Sequence, residues 1–135
     1  MAFTELLRHR IVEHFLRGQA VGKTEVDKIS LWSVLPDELG AGGTEITTDG
    51  TNGYARQDLA FTITTPTDSE TENVADITFG PCDTVAWATI VGLCIHDDNG
   101  DIIIRHRLTH NRVVTIGGIY DIPAGFLKSI MRDAV

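Results

Sequence analysis

Residues 85–109 read VAWATIVGLCIHDDNGDIIIRHRLT, and this stretch decides the fold. Val85, Trp87, Val91, Leu93 and Ile95 at odd positions, with Ile90 and Cys94 at even ones, put apolar side chains on both parities, so a strand here is covered on both faces and lies centrally in its sheet. The tetrapeptide DDNG at 97–100 interrupts the run, which resumes over 101–109. Asn-Gly between two β-rich runs is a strong hairpin signal, because tight hairpin turns need the positive φ that glycine adopts freely. The expectation is an antiparallel pair at the centre of a sheet.

Working outward, KISLWSVL at 28–35 is a strand stopped by Pro36, and 54–64 is another, with Leu59, Phe61 and Ile63 alternating against Ala60, Thr62 and Thr64. Short strands follow over 74–79, 112–116 and 126–131, the last two separated by the turn Gly117-Gly118. Residues 36–53 form a long loop, and TPTDSETEN at 65–73 a second, exposed one. The first 17 residues differ from all of this. Phe3, Leu7, Ile11 and Phe15, flanked by Leu6, Val12 and Leu16, recur at helical spacing among charged residues, and Gly18 closes the element. One amphipathic N-terminal helix (1–18) and seven or eight mostly antiparallel strands (26–135) predict a mainly β fold. That fold is an antiparallel β-sandwich, of which the jelly roll is one arrangement.

A chain of 135 residues and 14.8 kDa has room for a single domain, 1–135, and its 42% hydrophobic and 22% charged residues are those of an ordinary globular protein. A formal charge of −8 opposes loose affinity for nucleic acid or anionic membrane, so neither is expected as a partner. No apolar run reaches 18 residues and no leader is read at the start, which predicts synthesis in a reducing cytoplasm. Cys82 and Cys94 are then reduced and packed as small hydrophobes.

No catalytic, cofactor or metal site emerges. Asp97, Asn99 and Asp101 match the first alternating ligands of a calcium loop, but Ile102 stands where that loop needs glycine and no Glu follows at the twelfth position. His106 and His110 fall on a strand, where four residues span about 13 Å, too far for one metal. All five histidines read as polar surface or strand-edge residues. There is no Gly-x-Ser-x-Gly elbow, and GAGGTEITTDG at 40–50 lacks the Lys-Ser/Thr of a phosphate loop, leaving a flexible or contact loop. Arg105 and Arg107 share a strand face opposite Ile102, Ile104 and Leu108, a basic stripe in an acidic chain.

The order of segments carries a resemblance. MAFTELLRHRIVEHFLRG, ISLW followed by PDE and GAGGTEIT, NGYARQDLAF, ADITFGP before a Trp-containing strand, and the closing AGFLKSI together span nearly the whole chain. They resemble small virion proteins of tailed phages, often labelled tail-fibre proteins, some similar to the jelly-roll cement proteins on capsids of short-tailed phages. The most specific pieces are MAFT, GGTEIT and NGYAR; the basic, Met-containing tail departs from the Thr-rich ends of relatives.

The resemblance implies a non-enzymatic protein, made in the bacterial host cytoplasm and carried on the capsid surface. There it joins neighbouring major capsid subunits and self-associates as a dimer or trimer. The expected contacts are Phe3, Arg8, Arg10 and Arg17 on the helix, Gly42, Gly43 and Thr44 in the loop, and Arg105 and Arg107 on the stripe. The absence of long apolar stretches suits a protein soluble at high concentration. The alternative is a tail-fibre or carbohydrate-binding module in which Trp32, Tyr54 or Trp87 stacks on a sugar, although fibres commonly need trimeric stalks.

Overall fold

The structure, a computed structural model, describes residues 2–18, 26–46, 52–65 and 70–130. Eleven strand segments and one helix follow in the order β1 (Ala2–Phe3), α1 (Glu5–Arg17), β2 (Val26–Val34), β3 (Thr44–Glu45), β4 (Gln57–Asp58), β5 (Phe61–Thr65), β6 (Glu70–Asn73), β7 (Ile77–Phe79), β8 (Ile90–Asp97), β9 (Ile102–Arg112), β10 (Tyr120–Ile122) and β11 (Lys128–Ile130). The largest sheet runs β1-β9-β8-β2-β3, with β4 also on β2; β5-β6-β11 form a second sheet and β7-β10 a third. Every pairing is antiparallel. The mainly β, antiparallel sandwich with one N-terminal helix is as expected.

β8 is central, between β2 and β9, and nearly all of it is buried, as its two-sided apolar pattern requires. DDNG closes the β8–β9 hairpin, Gly100 taking φ +88°. On one face of the large sheet Ile29, Leu31, Leu93, Ile95 and Ile104 join Ile77, Phe79, Trp87, Ile122 and Leu127 in a single apolar cluster. Tyr54 stacks on Phe79 with ring centroids 5.8 Å apart. Gly92 lets the backbone of β8 come close to its neighbours: a Cβ there would lie 2.6 Å from the His106 carbonyl oxygen and from Leu35 Cδ2.

Several boundaries differ from expectation. The expected strand 54–64 is two, β4 in the large sheet and β5 in the second, because the chain changes sheet at Leu59-Ala60. Half of the expected loop 65–73 is strand: β6, for all its Thr and Glu, is the middle strand of its sheet, tied down by Asn73. That buried amide donates to Ala75 O (2.9 Å) and Pro123 O (3.0 Å) and accepts from Leu127 N (2.9 Å). β8 begins at Ile90 rather than 85 and β7 at Ile77 rather than 74, while 113–115, expected as strand, are irregular beyond the end of β9. Residues 36–46, expected as open loop, fold into turns and the short β3; residues 47–51, 66–69 and 131–135 lie outside the described residues.

Candidate interaction surface

Helix α1 is capped at both ends and held to the domain at its start and along its flank. Thr4 is the N-cap: its Oγ1 accepts from Leu7 N (3.4 Å) and donates to Ile102 O (2.8 Å), while its own N–H donates to Ile103 O (2.9 Å). Gly18 ends the helix in the left-handed region at φ +62°. Phe3 and Leu7 pack against the core. Arg10 then crosses to the hairpin turn, its two terminal nitrogens on Asp97 Oδ2 (2.6 Å) and Asp101 Oδ2 (2.8 Å). Asp97 Oδ1 closes the turn, accepting from Asn99 N (3.0 Å) and Asp101 N (2.9 Å). Burial opposes ionisation of Asp97, but the hydrogen bonds from Arg10 and from the two backbone N–H groups outweigh it and hold its carboxyl below the ordinary range. The residues that mimic a calcium loop thus receive an arginine.

Beyond Arg10, Ile11 is half-buried, and the helix turns its other apolar side chains outward: Val12 is exposed, Phe15 is 75% exposed and Leu16 79%. Val113, Ile116, Ile119 and Phe126 are exposed as well. A helical period marks an apolar face; it does not say how much of that face the domain covers.

The other expected contact residues scatter. Phe3 is half-buried beside Ile104. Arg8 pairs with Glu5 (2.6 Å) and Glu38 (3.4 Å), and Arg17 with Glu13 (2.8 Å). Arg105 donates to Pro36 O (2.9 Å) and sits 3.7 Å from Glu38, whereas Arg107 is exposed and has no ion pair among the described residues. Gly42, Gly43 and Thr44 belong to a pinned turn: Asp37 Oδ1 accepts from Leu39 N and Ala41 N, and Thr44 pairs with Val34. At Gly43, with φ +75°, a Cβ would lie 2.6 Å from Val34 O and Pro36 N. The helix and the 36–46 turn do meet, through Glu5 N donating to Glu38 O (2.8 Å) and Arg8 reaching the same residue.

The candidates for sugar stacking are core residues: Trp32, Tyr54 and Trp87 are all buried. Trp87 Nε1 donates to Asn52 O (2.7 Å), and Tyr54 donates to Glu45 Oε1 (2.9 Å). The histidine expectation fails at His96, which is 1% exposed. Its Nδ1 donates to Gly100 O (3.1 Å), leaving Nε2 to accept from Ser30 Oγ (2.7 Å), which in turn accepts from Trp32 Nε1 (2.7 Å). Burial holds this imidazole below its ordinary range, hence neutral. The Ser30–His96 spacing is that of a nucleophile and its base, but both are sealed from solvent, so the pair can only hold β2 to β8. Nothing in the local sequence distinguished His96 from its neighbours. Cys82 and Cys94 are free and buried, and burial pushes the Cys94 thiol up to about 12. Among the described residues no three His, Cys, Asp or Glu side chains gather to hold a metal ion, and no helix is long and apolar enough to cross a membrane.

A sandwich whose N-terminal helix is clamped to the central hairpin can be compared with known families as a whole chain. The family described as podophage GP4 fiber I protein gp80 matches residues 2–129. The chain belongs to this family. It is therefore a member of a short-tailed-phage virion protein family, and a virion structural role follows at that level. No curated protein matches the chain.

Proposed function

We propose that this family member is a non-enzymatic cement or decoration protein of the phage head, binding neighbouring major capsid subunits on the capsid surface and associating with further copies of itself. The observation that carries the reading is helix α1: it is fixed to the β8–β9 hairpin by Arg10, yet presents Val12, Phe15 and Leu16 to solvent. A rigidly held helix with an uncovered apolar end costs little to order on docking, which favours binding. The acidic charge keeps free copies soluble, and simultaneous engagement of neighbouring subunits supplies avidity without one tight pocket.

The family description favours a second reading, that the chain is built into a fibre. Imaging of the virion separates the two. Cement predicts stoichiometric copies over the head surface and heads that burst more readily when the protein is missing. Copies confined to the tail or to a fibre overturn it.

A further inference from the structure

On the core-side face of β9, beyond the packed cluster, a groove of about 570 Å³ opens between that strand and residues 113–127. Its floor includes Leu93, Leu108, Ile122 and Leu127, and its rim carries Val113, Ile119 and Phe126, the last 76% exposed. Besides Asp121, three polar side chains line the same groove: His106, Arg112 and Tyr120. None of them makes a hydrogen bond or ion pair among the described residues, although His106 and Tyr120 are half-buried. Every other described lysine or arginine except Arg107, which points from the opposite face of β9, is paired with a carboxylate. Asp121 also lines the groove and accepts from Thr78 Oγ1 (2.9 Å). Among the described residues, nearly all the cations are satisfied internally, and Arg112 is left without a carboxylate beside this apolar groove.

We infer that this groove docks an extended segment of a partner protein that carries a carboxylate next to a large apolar side chain. The apolar side chain fills the floor against Leu108 and Leu127 and is covered by Phe126. The carboxylate pairs with the Arg112 guanidinium and accepts from the Tyr120 hydroxyl. The largely aliphatic lining and the exposed apolar rim suit a protein segment rather than a sugar, whose hydroxyls would outnumber the four polar side chains of the groove. This surface lies apart from the helix end invoked for capsid binding, and its test does not depend on where in the virion the protein sits.

The test is fluorescence anisotropy on the purified full chain with a fluorescein-labelled peptide alternating Asp with Leu and Phe, and its isosteric Asn counterpart. The Asp peptide is expected to bind at least about tenfold more tightly than the Asn peptide. Arg112→Glu should remove that difference, Phe126→Ser should weaken both peptides, and Arg107→Glu should change neither. These side chains are exposed, so each variant should keep the wild-type melting midpoint, which is checked first. Equal affinity for the two peptides, no binding of either up to about 1 mM, or undiminished Asp-peptide binding by Arg112→Glu overturns the inference. Sedimentation equilibrium covers the remaining occupant: self-association abolished by Phe126→Ser and Arg112→Glu would assign the groove to a second copy and overturn it too.

Discussion

Arg10 and Asp97, separated by 87 residues in sequence, meet at 2.6 Å, the arginine from the surface of α1 and the aspartate from the fully buried end of β8. Because the carboxylate is shut away from water, its charge depends on this partner and on the turn amides that Asp97 also caps.

Removing the partner should therefore cost far more than removing an exposed ion pair. Arg10→Met is expected to destabilise the protein by about 3 kcal/mol, since it strands a buried charge. Arg8→Met, which breaks pairs between half-exposed side chains, should cost no more than about 0.5 kcal/mol. Urea denaturation of the two variants checks this, and equal losses would show that the Arg10 pair is an ordinary surface contact.

Stability should fall with acid in two stages. His96 has its folded value lowered from 6.5, so below pH 6.5 the unfolded chain takes up a proton that the folded chain refuses, and stability present above that pH is lost as pH falls. His106, lowered by burial in the same sense, adds to this first stage. Asp97, lowered from 3.8, gives a second loss below that value. Urea midpoints between pH 7.5 and 3 should decline through the first stage by up to about 1.4 kcal/mol per pH unit for each histidine. A flat profile from pH 7 to 5 would refute the assignment of a neutral buried His96.

Gly92→Ala should cost about 2 kcal/mol or more, because the added methyl meets backbone as well as Leu35. Gly42→Ala, where a Cβ meets nothing within 4 Å, should cost only the left-handed backbone penalty of about 1 kcal/mol. Thermal melts of the two proteins test the ranking.

The thiol of Cys94, sealed and pushed up to about 12, should resist alkylation in the folded protein at pH 8 and react only on unfolding. Mass spectrometry after iodoacetamide treatment reads this directly. Rapid labelling of Cys94 in the native state would mean that β8 opens far more readily than its burial implies.

Phe15→Ser with Leu16→Ser should leave the melting midpoint nearly unchanged, because the domain does not cover these side chains, while lowering the number of copies retained on purified particles. Full retention would remove the helix end from the proposed contact.

The sequence showed most clearly those features whose signal is local. Asn99-Gly100 marked the hairpin, the two-sided run of β8 marked the central strand, and the spacing of Leu7, Ile11 and Phe15 marked the helix. Where the chain passes from one sheet to another the signal vanished: alternation continues through Leu59 and Phe61 although β4 and β5 belong to different sheets, because a period of two is indifferent to which sheet it feeds. β6 was hidden by composition, since its Thr and Glu residues read as loop and its order comes from Asn73 bonding to segments some 50 residues away. For the interaction surface, residue type alone gave Arg8, Arg10, Arg105 and Arg107 equal standing, and only geometry separated them. Arg10 is consumed within the fold, Arg107 has no ion pair among the described residues, and Arg112 and Phe126 gain their interest from a groove no spacing could reveal.

The clamp between α1 and the hairpin also has a mechanical meaning. A load applied to the helix from outside passes through Arg10 into the tip of β8 and β9, and so directly to the most buried strand of the domain. That strand is held along its length by β2 and β9, so a load entering there is met by a ladder of backbone bonds on either side. A protein hauled by its N-terminal helix would resist as a whole.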